Sequence, residues 1–287
     1  MREFAKYLVE LSCDELSVPS YASGLKDYNY FANEYGYSDP SGYDSVRSFV
    51  ERYFVGYQLG RLEYYLPILK SAIPQNSKIL SLASGRPVVE ALMSELGYDV
   101  TCSDLEVFRE FEKVKNLFPH LEYRKLDVVV DEIPAGYTTI LALGLLYLFD
   151  EATLRQFFRK VAEGVAHGGL VVVDSAISPD TMTSYLIHDI LLRSEAHLKK
   201  VYYQLQGQKA AVRKVSYGFR KRHSEIIQIA NEVGLAHFKT FSTGVSIELN
   251  RSYILRTLMR TIPGMSSLLK LMAHDAPFVN VYAFRKL

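Results

Sequence analysis

Three observations predict an open, doubly wound α/β sheet with mostly parallel strands. From Lys78 onward, short apolar runs alternate with segments whose apolar residues recur at helical spacing. Three of the runs close on an aspartate (Asp104, Asp127 and Asp174), and another closes on the glycine turn Ser84-Gly85-Arg86. The 287 residues, 48% apolar and 23% charged, have the balance of a soluble chain with room for one large domain and a cap.

The first strand is expected over 78–83, followed by the turn and a helix with Pro87 near its start, where a missing N–H is tolerated. Val88, Val89, Ala91, Leu92 and Leu96 form that helix's buried face, and Gly97 ends it. Further strands read as 98–102 and 122–126. The fourth, 139–143, runs into Gly144-Leu145-Leu146-Tyr147. Asp150 then caps a helix whose Leu154, Phe157, Phe158, Val161, Ala162 and Val165 hold spacings of three and four, and Gly168-Gly169 reads as its stop. A fifth strand spans 170–173. Ser224 opens another helix, which carries Ile226, Ile227, Ala230 and Val233 and stops at Gly234; 238–241 and 279–284 are the last strands.

Residues 1–72 read as a helical, tyrosine-rich cap, and 73–287 as the sheet domain with lid insertions at about 179–222 and 249–276. Trp is absent, and Tyr reaches 21. Tyr28, Tyr30, Tyr35, Tyr37 and Tyr43 stand among Asn, Gly, Ser, Asp and Pro and therefore in a loop. Aromatics there either pack or form the lid of a small-molecule site.

Thirty-three basic residues against 32 acidic ones leave a net charge of +1, which argues against nucleic acid as a partner. The longest nearly apolar stretch, Thr138 to Phe149, is too short to span a bilayer, and the N-terminus lacks a signal-peptide layout. Two cysteines give no disulfide framework, so a cytoplasmic location is expected. No His, Cys or acid pair has metal-ligand spacing, and no metal is expected.

Both insertions have a character of their own. Residues 193–223 hold Arg193, Lys199, Lys200, Lys209, Arg213, Lys214, Arg220, Lys221 and Arg222 against the single acid Glu195. Such a run is either a solvated helix face or a patch steering an anionic partner, such as a phosphorylated or carrier-bound small molecule. Residues 252–272 are apolar with basic punctuation, and Pro263-Gly264 breaks them into two helices. That segment suits core packing, a hydrophobic substrate pocket or a peripheral contact with a membrane surface.

Ligands of open α/β sheets sit outside the carboxyl ends of the strands, where the order reverses. That rule places Ser84-Gly85-Arg86, Asp104, Asp127, Gly144 and Asp174 on one rim. An acid about 20 residues after the first turn can accept both hydroxyls of a ribose. A second acid, after the third strand, can accept from an amine donor such as an adenine N6. Either aspartate could equally close a turn.

The runs ILSLASGRPVVEALMSELGYDVTCSDL, YRKLDVVVDEIP and TTILALGLLYLFDEATLRQFFRKVAEGVAHGGLVVVD resemble class I S-adenosylmethionine-dependent methyltransferases, over about residues 77–175. The resemblance implies a Rossmann-like sheet of seven strands with the last antiparallel, and S-adenosylmethionine as cofactor. It places Ser81, Ala83, Ser84, Gly85 and Arg86 in the loop under the methionine part, and Asp104, with Leu105 beside it, at the ribose. Asp127 and Val128 would frame the adenine, with Leu143 and Gly144 beside the cofactor. The implied reaction is methyl transfer to an O or N atom of a small metabolite of anionic or partly hydrophobic character.

The family's loop reads acid-x-Gly-x-Gly-x-Gly, and here it reads Ser81-Leu82-Ala83-Ser84-Gly85-Arg86-Pro87, with only the middle glycine kept. Ser81 stands where an acid helps orient the cofactor's ammonium group. Arg86, a cation at a helix N-terminus, opposes the macrodipole; it either meets an anionic group of cofactor or substrate, or pairs with an acid of the cap. Tyr147 by family geometry, and His188 by its chemistry at neutral pH, are the candidate catalytic residues. The altered loop also admits a second reading, in which the same fold binds the cofactor or a nucleoside for non-methylating chemistry or a structural or regulatory role.

Overall fold

A computed structural model of the chain describes residues 57–108, 111–176, 179–206, 219–243, 249, 252–272 and 279–287. The tyrosine cluster from Tyr28 to Tyr43, and most of the expected cap, lie outside the described residues. The strands are β1 (Lys78–Ser81), β2 (Asp99–Asp104), β3 (Glu122–Lys125), β4 (Tyr137–Ala142), β5 (Val165–Ala176), β6 (Leu235–Thr243) and β7 (Val279–Lys286). They form one seven-stranded sheet in the order β3-β2-β1-β4-β5-β7-β6. Pairing is parallel from β3 through to β5, while β7 runs antiparallel to both β5 and β6. The expected seven strands, with the last one antiparallel, are thus present.

Helices cover both faces, which is why β1 and β4 read as nearly continuous apolar runs. On one face lie α1 (Tyr57–Ala72), α2 (Val88–Glu95) and α3 (Phe111–Leu117), whose Leu69, Leu92 and Val114 pack with Ile79, Val100 and Val172 of the strands. On the other lies α4 (Glu151–Gly164), whose Leu154, Phe157, Phe158 and Val161 meet Leu80, Ile140, Val171 and Phe284. Asp150 caps α4 as expected, its Oδ1 accepting from the Thr153 amide at 2.8 Å.

After β5 the chain forms a helical insertion: α5 (Met182–Tyr185), a π-helical turn (Leu186–Leu191) and α6 (Leu192–Leu205). It returns through α7 (His223–Glu232), which packs beside α4 through Ile226, Ile229 and Ala230. Between β6 and β7, α8 (Tyr253–Thr261) and α9 (Met265–Met272) are separated at Pro263-Gly264, as the sequence indicates. The insertions share a small core of their own, in which Ile187, Leu192 and Leu249 are buried and Leu255, Met259 and Leu269 pack against them. Core packing therefore accounts for part of the apolar 252–272 segment, while Leu268, Leu271 and Met272 stay exposed. Among the described residues, no helix is long and apolar enough to cross a membrane.

One boundary differs from the sequence reading. Helix α4 ends at Gly164, and β5 begins at Val165 and runs through Gly168-Gly169, which do not stop the helix. The cause is crowding. A Cβ on Gly164 would lie 2.6 Å from Ile133 Cγ2, and one on Gly169 would lie 2.7 Å from the Ala166 carbonyl and 2.8 Å from that of Thr138. Register shifts where these glycines sit: Tyr137 pairs with Val165, but Thr139 pairs with Leu170. The pair of glycines thus marks an irregularity within a strand.

Gly164→Ala should therefore lower stability by about 1–3 kcal/mol, the cost of overpacking. A reduced urea midpoint with an unchanged slope is the expected readout, and an unchanged midpoint would refute the close approach.

Candidate functional site

Strand order reverses at β1, from which β2 and β3 extend one way and β4 and β5 the other, so a crevice opens outside its carboxyl end. The loop leaving β1 fills the edge of that crevice. Ala83 has φ +52° and Gly85 φ +53°, both in the left-handed region, which an alanine enters only at a cost. This double reversal turns the Gly85 amide towards β2, where it donates to Asp104 Oδ2 at 2.7 Å. Asp104 Oδ1 accepts from the Leu105 amide at 2.7 Å. Ser84 Oγ donates to the Ser81 carbonyl at 3.0 Å, Ser103 Oγ donates to the same carbonyl at 2.9 Å, and the Tyr123 hydroxyl donates to the Gly85 carbonyl at 2.7 Å. Four predicted site residues, Ser81, Ser84, Gly85 and Asp104, are thereby joined in one network spanning β1 to β3.

Burial pushes the Asp104 carboxyl above the usual aspartate range, and the two amides from Gly85 and Leu105 pull it partly back. Arg86 rests its guanidinium over the Phe108 ring, 5.4 Å from the centroid. Asp127 closes a turn: its Oδ1 accepts from the amides of Val129 and Val130, at 2.9 and 3.3 Å. The Leu126 amide donates to the Asp104 carbonyl at 2.8 Å, which holds this turn, with the buried Val128, next to the end of β2. Leu105 and Val130 present exposed apolar side chains there.

On the other side of β1, Asp174 of β5 is buried and accepts from both the Tyr65 hydroxyl of α1 and the Gly144 amide. It fixes the turn after β4 that carries Leu143, Gly144 and Tyr147. Tyr147 is half-buried in a short 3-10 turn, and its carbonyl accepts from the Phe219 amide at 2.8 Å. His188 is fully buried in the π-helical turn. Its neighbour Asp189 binds Arg220 through two bonds, at 2.6 and 3.0 Å, and Arg193 at 3.0 Å.

That pairing divides the basic segment. Arg193 and Arg220 are tied to Asp189. Lys221 is buried with its ammonium 5.0 Å from the Phe219 ring centroid, and desolvation holds its pKa below the usual lysine range despite nearby Glu225, Asp150 and Glu151. Lys209, Arg213 and Lys214 lie outside the described residues.

Sequence reasoning missed three polar side chains of this region: Tyr65, Tyr123 and Glu90. Glu90 is buried on α2 and accepts from Ser81 Oγ at 2.6 Å. The signal was available, since Glu90 interrupts the apolar run Val88-Val89-Glu90-Ala91-Leu92 at a core-facing position.

The fold is shared with solved structures of methyltransferases at low sequence identity. A magnesium protoporphyrin IX methyltransferase from Synechocystis PCC 6803, with bound SAH, is 11% identical, with 92% of this chain and 96% of that chain covered and a TM-score of 0.53. A geranyl diphosphate C-methyltransferase from Streptomyces coelicolor A3(2), in complex with Mg2+, geranyl diphosphate and S-adenosyl-L-homocysteine, is 13% identical, with 100% and 97% covered and a TM-score of 0.51. No protein-family model matches the chain, and no curated protein matches its sequence. The chain has the class I methyltransferase fold.

Left-handed backbone on either side of Ser84, at Ala83 and Gly85, makes the loop testable by stability alone. Gly85→Ala meets no atom closer than Asp104 Oδ2 at 3.9 Å, so its cost is conformational. It should destabilise by about 1–2 kcal/mol. Ala83→Gly removes the same strain, offset by about 0.5–1 kcal/mol of added chain entropy in the unfolded state, and should raise the urea midpoint slightly or leave it unchanged.

Proposed function

We propose that the chain transfers a methyl group from S-adenosylmethionine to a small molecule. The observation that carries the proposal is the junction of a left-handed glycine turn with the Asp104 carboxylate at the switch point of the sheet. The residues fit the cofactor. Each Asp104 oxygen holds one backbone amide and retains a second lone pair for a ribose hydroxyl. Exposed Leu105 and buried Val128 offer apolar surface for a purine ring, with Asp127 beside them to accept from its amine. Ala83, Ser84, Gly85 and Arg86, all part-buried, stand over the buried Ser81 at the opposite end, and Leu143 and Gly144 follow β4 on the same rim.

When bound, the cofactor supplies an electrophilic methyl group on a sulfonium centre. The protein's part is to bring an O or N nucleophile in line with it, and proximity and orientation carry such a transfer with a weak base or none. Tyr147, part-buried in the 3-10 turn that follows β4, is the first candidate for proton acceptor. His188 reaches a substrate only once the helical insertion opens, because it is fully enclosed. Tyr28, Tyr30, Tyr35, Tyr37 and Tyr43 are proposed to cover the substrate from the cap formed by 1–72, and the insertions to form the lid. The acceptor is a small metabolite of anionic or partly hydrophobic character, free or carrier-bound. The buried free thiol of Cys102 fits a reducing, cytoplasmic setting.

Isothermal titration calorimetry with S-adenosylmethionine and S-adenosylhomocysteine tests the reading, and the lack of Trp makes calorimetry preferable to intrinsic fluorescence. Micromolar binding of both ligands, lost in Asp104→Ala, is expected. No heat from folded protein overturns it, and binding without transfer in an acceptor screen selects the non-methylating role. Because burial raises the Asp104 pKa, its carboxylate is lost at a higher pH than an exposed aspartate's. Affinity should therefore fall as pH drops through that raised value, and Asp104→Asn should remove the step.

A further inference from the structure

The two insertions leave the sheet at one level. Ala176 at the end of β5 and Thr243 at the end of β6 both pair with Val279 of β7, at the carboxyl end of β5 that also carries Asp174. The helices that follow form one body. Leu255, Met259 and Leu269 pack on the core of Ile187, Leu192 and Leu249. Glu195 of α6 also meets the start of α8, where it accepts from Ser252 Oγ at 2.5 Å and from the Ile254 amide at 3.1 Å.

This body presents apolar side chains to water. Helix α9 reads Met-Ser-Ser-Leu-Leu-Lys-Leu-Met, and none of its residues is buried. Leu269 leans on the shared core, while Leu268, Leu271 and Met272, at spacings of three and four, are 50, 71 and 64% exposed. On α6, Leu198, Val201 and Leu205 hold the same spacings and are exposed too. Apolar stripes turned to solvent mark contact surfaces.

Charge selects the partner. From 249 to 274 the sequence holds Arg251, Arg256, Arg260 and Lys270 and no acid. Over 186–206 the acids are Asp189 and Glu195, and both are engaged within the protein, Asp189 by Arg193 and Arg220 and Glu195 by the start of α8. Lys270 is exposed within the stripe of α9. Aliphatic side chains punctuated by cations match the boundary between acyl chains and anionic headgroups, where the stems bury and the charged tips reach phosphate. A nucleic acid calls for stacking aromatics, and a protein partner for aromatic anchors with few lysines.

We propose that the insertions dock the protein on an anionic phospholipid bilayer, with α9 entering the headgroup region through Leu268, Leu271 and Met272, and α6 adding Leu198, Val201 and Leu205. The inference stands independently of methyl transfer.

Vesicle co-sedimentation of the full chain tests it, with phosphatidylcholine alone and with about 30% phosphatidylglycerol added. Binding to the anionic vesicles should be at least about tenfold tighter, and salt at about 1 M, where the Debye length is about 3 Å, should remove most of that preference. Leu268→Glu with Met272→Glu, both at exposed helix positions, should weaken anionic-vesicle binding about tenfold or more and leave the thermal midpoint unchanged. Because the chain has no Trp, Met272→Trp installs a single reporter. Its emission should shift to the blue on anionic vesicles and be quenched by brominated acyl chains. Phe238→Trp, exposed near the end of β6 remote from the insertion, should show neither effect. No binding, equal binding to both vesicles, or an unmoved Met272→Trp signal on bound protein overturns the proposal. A dimer that the double glutamate variant splits overturns it as well, since a second copy would then be what covers the stripe.

Discussion

The bond from the Gly85 amide to the Asp104 carboxylate sets the shape of the whole rim. To reach it, the chain must reverse twice, at Ala83 and Gly85, and each reversal uses backbone space that a side chain resists. Once made, the bond closes β1 onto β2, and the Leu126 amide on the Asp104 carbonyl passes the constraint on to the end of β3. The loop is therefore a strut between strands. Departures from a glycine-rich pattern are bearable at Ala83 because this network, including Ser84, Ser103 and Tyr123, holds the strained conformation in place.

Asp174 does for β4 and β5 what Asp104 does for β1 and β2. A buried carboxylate is unstable unless donors meet it, and here the donors come from α1 and from the turn after β4. Helix α1 is thus bound to the sheet by more than its apolar face. Its Tyr65 reaches the rim, so any motion of α1 is coupled to the turn that carries Gly144 and Tyr147. A ligand entering the crevice from that side would meet a wall whose position depends on α1.

Much of this was legible in the sequence because it is local. The alternation of apolar runs and helical spacing gives the sheet, and acids at strand ends give the rim, since both patterns arise from which faces are buried. Strand ends were less legible: β5 starts five residues before the apolar run Leu170 to Val173, because Gly168 takes a left-handed φ of +72° and Gly169 admits a close backbone approach, and only the fold shows what approaches. Glu90 was legible only in part: its place in an apolar run marks it as core-facing, but its partner does not show in the sequence. An acid on a helix is ordinary, and its meaning comes from Ser81, nine positions earlier and on a different element. Asp127 shows the converse, a predicted ligand residue whose Oδ1 closes its own turn.

Charge density along a chain is a poor guide to charge density on a surface, and residues 193–223 show why. Read linearly, the charges of the segment are nearly all positive; folded, Arg193 and Arg220 converge on Asp189, an acid lying just ahead of it. Lys221 packs over Phe219 near the start of α7. These cations lie towards the two ends of the insertion, where it leaves and rejoins the sheet, and their pairing fixes both. Bidentate guanidinium contacts to a nearly buried carboxylate specify geometry as well as supplying energy. The insertion is therefore anchored at its base, beside His188.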